Sequence, residues 1–156
     1  MSQVEARLAD LGLTVPDVAK PLAAYVPAVR SGDLVWTSGQ LPTVDGELKA
    51  TGKVGAEVTV EQAAELARVC ALNAIAAIKG VIGDLDQVER VVKVTGYVAS
   101  APSFFRQPAV VNGASELIGA AFGETGKHAR SAVGVAVLPL DAPVEVEMVV
   151  QIRDSA

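Results

Sequence analysis

The feature that most constrains the fold is the apolar segment over residues 129–150, because its period of two favours strands. Arg130–Leu138 alternates β-branched residues with small ones, so both of its faces are apolar. A strand of this kind is typical of a sheet that is covered on both sides. A turn with two prolines follows, and residues 144–150 then alternate between an apolar face and a face that carries Glu145 and Glu147. We predict two strands joined by a short turn and adjacent in one sheet, with Arg130 and Glu145 near their starts.

The preceding chain alternates between strand and helix patterns. Tyr25–Arg30 and Leu34–Ser38 flank a Ser-Gly-Asp turn and predict a hairpin. A capping-box pattern predicts a helix over about Thr59–Gly80. Val88–Ala99 is rich in β-branched residues and predicts a strand, and apolar spacing predicts a second helix over roughly Ser103–Phe122. This order predicts an α+β fold in which two helices pack on one face of a mixed sheet.

The length of 156 residues is most simply one domain, residues 1–156, with a sizeable core. At its start, Gln3–Leu11 carries an apolar stripe at helical spacing and predicts a short amphipathic helix that ends at Gly12. The hydrophobic content of 51% is too high for a disordered chain. An exposed sheet face this rich in valine needs a partner, so we expect a homo-oligomer.

The charge balance bears on partners and location. The net charge is −5 and no run of Lys or Arg is present, which argues against a nucleic-acid partner. No signal peptide and no apolar run long enough to span a bilayer can be recognised in the sequence. We therefore expect a soluble, cytoplasmic protein without a membrane partner.

The small numbers of cysteine and histidine residues limit the kinds of functional site that one chain can form. Cys70 is the only cysteine, so no intrachain disulfide forms, and its apolar surroundings favour a buried thiol. His128 is the only histidine, so the usual zinc ligand set cannot be assembled within one chain. No nucleophile-elbow motif accompanies it, which argues against a serine hydrolase. We expect no metal, and we place His128 at most on the rim of a site around Arg130.

Four short motifs carry a family resemblance. From the pattern alone, ordinary surface charges would explain Arg130 and Glu145 as well. The motifs, however, are ARSxVxVxxLP followed by VEVE, AAYVPAV over Ala23–Val29, TSGQLP over Thr37–Pro42, and the pair Val111-Asn112 in the second long helix. In their order and spacing, the chain from about Tyr25 to Gln151 resembles the RidA (YjgF) family of enamine/imine deaminases.

The resemblance implies a fold, an assembly and a reaction. Members of that family are similar in fold to chorismate mutase and form homotrimers whose sheets meet in a central β-barrel, with ligand sites in the clefts between subunits. The implied reaction is hydrolytic deamination of 2-imino or enamine acids to 2-oxo acids and ammonia, with no metal or organic cofactor. Against this pattern, residues 1–22 are an N-terminal helical extension, which suggests a divergent branch.

The residue types suit this reaction. A guanidinium such as that of Arg130 can hold a substrate carboxylate with two hydrogen bonds, and Glu145 can orient or deprotonate a water molecule. The resemblance places five more residues at the substrate pocket. Ala132 occupies the position that is often cysteine in the best-known members, so no thiol can act there. The five pocket residues are Tyr25, Ser38, Gly39, Asn112 and Ala132.

Two other functions remain open at this point. Some relatives are named as endoribonucleases, although the acidic balance and the lack of a histidine pair count against that activity here. A trimer that only binds small carboxylates is the other alternative. The presence of both Arg130 and Glu145 favours the enzyme, because a simple binder needs only the arginine.

Overall fold

The computed structural model describes residues 1–21 and 23–154. Within them, helices α1–α3 and strands β1–β7 follow one another along the chain in an α+β arrangement. The helices are α1 Gln3–Asp10, α2 Val60–Ile82 and α3 Gln107–Phe122, and the strands are β1 Ala28–Ser31, β2 Leu34–Thr37, β3 Thr43–Val44, β4 Glu47–Leu48, β5 Val88–Ala99, β6 Ala129–Val135 and β7 Val144–Ile152.

The main sheet has the strand order β1-β2-β7-β5-β6. The prediction that β6 and β7 are neighbours is wrong, because β5 lies between them. The reason is the crossover through α3, which returns the chain parallel to β5 and places β6 on the outer edge. The connection from β6 to β7 then passes the end of β5, where the Ala99 N–H donates to the Pro143 carbonyl at 3.0 Å.

The helix predictions hold, with one shifted boundary. The capping box of α2 is present, since Thr59 Oγ1 accepts from the Gln62 N–H and the Gln62 side chain accepts from the Thr59 N–H. Helix α3 begins at Gln107 rather than near Ser103. Pro108 explains this, because proline fits the first turn of a helix and disrupts an interior position. None of the helices in residues 1–21 and 23–154 is long and apolar enough to cross a membrane.

The predicted N-terminal helix is also confirmed, and it packs on the main body of the fold. Ser2 is the N-cap of α1, and the apolar residues Val4 and Leu8 of this helix are buried. Lys79 of α2 forms an ion pair with Glu5 and donates a hydrogen bond to its carboxylate. This hydrogen bond is the main reason why the pKa of Glu5 is lowered to about 2. Glu5 therefore remains ionised well below neutral pH, and the ion pair fastens α1 to α2.

Both long helices lie on one face of the sheet and approach each other closely. Strand β7 points alternate residues from Val144 to Ile152 into the core, as its pattern predicts. A methyl group at Gly113 of α3 would lie 1.9 Å from the Ala64 carbonyl oxygen of α2, so only glycine allows this contact. Gly113 therefore lets α3 pack closely against α2, and Asn112 directly precedes it on α3.

The opposite face of the sheet carries exposed apolar side chains. Val29 and Trp36 are neighbours across β1 and β2 and are 53% and 49% exposed. The sequence predicts that β6 is covered on both sides. Within a single chain it is not, because Val133 of β6 is 42% exposed. Within a single chain, these apolar side chains of the sheet are open to solvent.

Candidate active site

The first polar cluster is a concave pocket on the helix-free face of the sheet, which we call the Glu145 pocket. It has a volume of about 360 Å³. Glu145 and Glu147 are alternate residues of β7 and point to the same face, and Tyr97 lies directly opposite Glu145 on β5. The pocket is lined by Tyr25, Ser38, Gly39, Tyr97, Glu145 and Glu147.

The pocket raises the pKa of Glu145. Burial of this half-buried carboxyl is the main cause, and the negative charge of Glu147 adds to it. Glu147 is held by the Tyr97 hydroxyl, which donates a hydrogen bond to Glu147 Oε1 at 2.6 Å. This bond raises the pKa of Tyr97 to about 12, so the hydroxyl keeps its proton as a donor. The arrangement therefore pairs one carboxyl of raised pKa with a second, fixed carboxylate.

Ser38 and Gly39 form the wall of the pocket beside Glu145. The Ser38 hydroxyl donates to the Val26 carbonyl at 2.6 Å and so ties the end of β2 to the segment that carries Tyr25. A methyl group on Gly39 would lie 2.7 Å from Glu145 Cδ and 2.8 Å from Oε2. The Glu145 carboxyl can therefore occupy its present position only because residue 39 has no side chain.

Gly39→Ala should displace the Glu145 carboxyl while leaving the fold intact. The new methyl group would clash with the flexible end of a side chain rather than with backbone, so we expect a thermal midpoint within a few degrees of the wild type. A crystal structure of the variant should show the Glu145 carboxyl moved by about 1 Å or more. An unmoved carboxyl, or a large loss of stability, would contradict this account of the wall.

The second polar cluster surrounds Arg130 on the helix-covered side of β6, and we call it the Arg130 cluster. Arg130 Nη1 donates to Asn112 Oδ1 at 2.7 Å and to Ser115 Oγ at 3.3 Å. Asn112 and Ser115 are one turn apart on α3, so both face the guanidinium. Ala132, two residues further along β6, is half-buried and packs against the core.

The two clusters lie on opposite faces of the sheet. Arg130 is paired with Val94, which points into the helix-covered core, whereas Glu145 is paired with Tyr97, three residues further along β5. An odd offset along a strand reverses the face. The strands β6 and β7 are also two strand spacings apart, roughly 10 Å. Within one chain, Arg130 and Glu145 therefore cannot hold the same small substrate.

A larger groove adjoins the Glu145 pocket. Its volume is about 900 Å³, and it runs between the N-terminal segment, the β3–β4 hairpin and α2. Tyr25 and Gly39 line both spaces.

Over residues 1–21 and 23–154, no three His, Cys, Asp or Glu side chains come together as a group that could hold a metal ion.

The sequence interpretation missed three participants. Tyr97 carries no motif, and only the strand register places it opposite Glu145. Glu147 shares a face with Glu145 in the pattern, which is the one signal that could have identified it. Ser115 lies one helical turn after Asn112, but its contact with Arg130 depends on how α3 packs against β6.

Comparison with known proteins identifies the fold and then the family. Residues 5–152 match the family model described as "YjgF/chorismate_mutase-like, putative endoribonuclease". The mixed sheet with helices on one face is thus a chorismate-mutase-like fold. Because the match covers nearly the whole chain, the protein belongs to the YjgF family.

Relatives extend over almost the same residues. The protein TCP17 of Trypanosoma cruzi is 46% identical over 153 residues, which cover 97% of this chain and 96% of that protein. A crystal structure of a protein of unknown function from Agrobacterium tumefaciens is 46% identical, with a TM-score of 0.91 over 97% of this chain and 93% of its own. E. coli TdcF, crystallised with bound serine, is 26% identical, with a TM-score of 0.60 over 88% of this chain and 94% of its own.

Proposed function

We propose that this protein hydrolyses reactive 2-imino acids and their enamine tautomers to 2-oxo acids and ammonia, in clefts between the subunits of a homotrimer. The observation that carries the proposal is the separation of Arg130 and Glu145 on opposite faces of one sheet. Each cluster supplies half of the required chemistry. A second copy of the chain can bring the Arg130 cluster of one subunit against the Glu145 pocket of the next.

The exposed sheet face supports such an assembly. Val29 and Trp36 near one edge of the sheet and Val133 at the other edge are exposed apolar residues on the same side as the Glu145 pocket. Covering this surface removes apolar area from water, at about 25 cal/mol per Å². An interface there would lie beside Glu145, so assembly and completion of the site would occur together.

The reaction needs three tasks from the protein. Arg130 holds the substrate carboxylate through two charge-assisted hydrogen bonds. The substrate reacts as the iminium tautomer, whose nitrogen already carries a proton from solvent; water attacks its C2, and Glu145 takes one proton from that water to give a carbinolamine. Glu145 then passes this proton to the amine of the carbinolamine. As the C–N bond breaks and ammonia leaves, the hydroxyl group gives its proton back to Glu145 and becomes the carbonyl of the 2-oxo acid. A carboxyl whose pKa is raised above the usual 4.5 suits both steps, because its ionised form is a stronger base than an ordinary carboxylate.

The relative with bound serine supports the choice of ligand class. Serine has the carboxylate and the C2 nitrogen that a 2-imino acid has, and E. coli TdcF was crystallised with it. Endoribonuclease activity, which the family description names, is a second candidate. The Glu145 pocket counts against it, because two adjacent carboxylates repel a phosphate backbone.

The direct test generates 2-aminoacrylate with a serine dehydratase and follows pyruvate formation with and without this protein. We expect the protein to accelerate pyruvate release, and we expect no cleavage of single-stranded RNA by the same preparation. Unchanged pyruvate release would overturn the assigned substrate class. RNA cleavage that is lost in Glu145→Gln would favour the ribonuclease.

The rate should depend on pH through Glu145. Glu145 must be ionised to accept a proton, and its pKa is raised above the usual 4.5 by burial and by Glu147. We therefore expect kcat/KM to fall on the acid side with an apparent pKa above 4.5. Glu147→Gln removes the neighbouring charge and should move this acid limb to lower pH. Its amide oxygen can still accept from Tyr97, so an unchanged or raised limb would contradict the electrostatic account.

A further inference from the structure

His128 is the only histidine of the chain, and both of its ring nitrogens are hydrogen bonded. Nδ1 lies 2.6 Å from the Gly126 carbonyl oxygen, and Nε2 lies 2.9 Å from Ser115 Oγ. A carbonyl oxygen can only accept, so Nδ1 carries the proton. In the neutral ring, Nε2 is then an acceptor and must receive its hydrogen bond from the Ser115 hydroxyl.

This fixes the direction of the next bond. The Ser115 hydroxyl donates its only hydrogen to His128. Towards Arg130 it can therefore act only as a hydrogen-bond acceptor. Arg130 Nη1 accordingly donates to Ser115 Oγ at 3.3 Å and to Asn112 Oδ1 at 2.7 Å. The hydrogen bonds run one way, from the guanidinium through Ser115 and His128 to the Gly126 carbonyl.

The consequence for the guanidinium is geometric. Its five N–H groups are fixed in one plane, and the two on Nη1 face α3. Nε and Nη2 form the remaining edge, which has the fork geometry that grips a carboxylate with two parallel bonds. Rotation of the guanidinium would break its bonds to Asn112 and Ser115, so these bonds determine where that edge points.

We propose that Ser115 and His128 are positioning residues that orient Arg130 and thereby set the affinity for the substrate carboxylate. The proposal rests on the proposed function, in which Arg130 holds that carboxylate. Neither residue needs to touch the substrate. Their effect should therefore appear in KM and in carboxylate binding, and much less in kcat.

Kinetic variants test the proposal against a purely structural role. Ser115→Ala should fold, because alanine is favourable in a helix. Ser115→Ala and His128→Leu should each raise KM roughly three- to tenfold, as expected for loss of one orienting hydrogen bond, with kcat changed less than about twofold. His128→Gln keeps an acceptor for Ser115 and should recover most of the affinity. Lys127→Leu is the matched control, since exposed Lys127 pairs with Glu124 and should leave KM unchanged.

Nitrogen NMR provides a readout that does not depend on turnover. With a single histidine, the imidazole ¹⁵N signals of the whole oligomer belong to His128. We expect the Nδ1–H tautomer in the neutral ring. Pyruvate, added as a carboxylate probe, should shift the Nε2 signal in the wild type and much less in Ser115→Ala.

The outcomes separate the two proposals. If the wild type hydrolyses no imine but pyruvate shifts His128 through Ser115, the proposed function fails and the orienting role stands. An Nε2–H tautomer would overturn the orienting role. So would a Ser115→Ala protein with wild-type KM and a wild-type pyruvate shift, or a Lys127→Leu protein as impaired as His128→Leu.

Discussion

Glu145→Gln should lower the rate of imine hydrolysis roughly a hundredfold or more while leaving carboxylate binding intact. The amide has nearly the shape of the carboxyl, so the Glu145 pocket and its contact with Gly39 are retained. The amide cannot accept a proton from water, so the loss falls on kcat. Single-turnover pyruvate formation measures the chemical step, and a titration with pyruvate measures binding.

The matched control is the same exchange at an exposed glutamate of β5, Glu89→Gln, which should retain the wild-type rate. A Glu145→Gln protein that works as fast as the wild type would show that Glu145 has a structural role. Together with an inactive Arg130→Ala, that result would favour the carboxylate-binding trimer.

Arg130→Ala should abolish carboxylate binding and reduce kcat/KM roughly a hundredfold or more, because truncation removes a charged, bidentate contact. Arg130→Lys should be nearly as poor, since an ammonium keeps the charge but cannot bridge Asn112, Ser115 and a carboxylate in one plane. Steady-state kinetics and the pyruvate titration check both variants. Arg153→Ala, at an exposed site after β7, controls for loss of one positive charge.

An active Arg130→Lys protein would contradict the bidentate contact. Wild-type pyruvate affinity in Arg130→Ala would contradict the assignment of the carboxylate to this residue. A loss of the oligomer in either variant, seen by light scattering, would instead place Arg130 in the assembly.

The sequence predicts the elements and the faces of this fold better than it predicts their neighbours. Residues 144–150 are assigned correctly to alternate faces, because a period of two is a property of the strand itself. The same pattern contains no information on pairing, so it could not reveal that β5 separates β6 from β7. That arrangement follows from the α3 crossover, which returns the chain parallel to β5 and so places β6 at the outer edge.

For the candidate site too, the sequence identifies residues better than it predicts which of them lie together. The motifs identify Tyr25, Ser38 and Gly39, and the structure brings these three residues together with Glu145 in one pocket. They also identify Arg130 and Asn112, which form a direct hydrogen bond. The family resemblance placed both groups in one cleft between subunits, and that placement stays a prediction, since a single chain holds them on opposite faces of the sheet.

The most direct test of the shared site is to combine two inactive variants in one oligomer. Arg130→Ala and Glu145→Gln chains, co-expressed with different tags and purified as mixed oligomers, should regain activity. In the proposed site each cleft takes Arg130 from one subunit and Glu145 from the next, so every trimer that contains both variants has one complete cleft of three and should show about a third of the wild-type rate. Mixtures of Arg130→Ala with Arg130→Lys should restore none. Mixed Arg130→Ala and Glu145→Gln oligomers that are no more active than their parents would contradict a site shared between subunits.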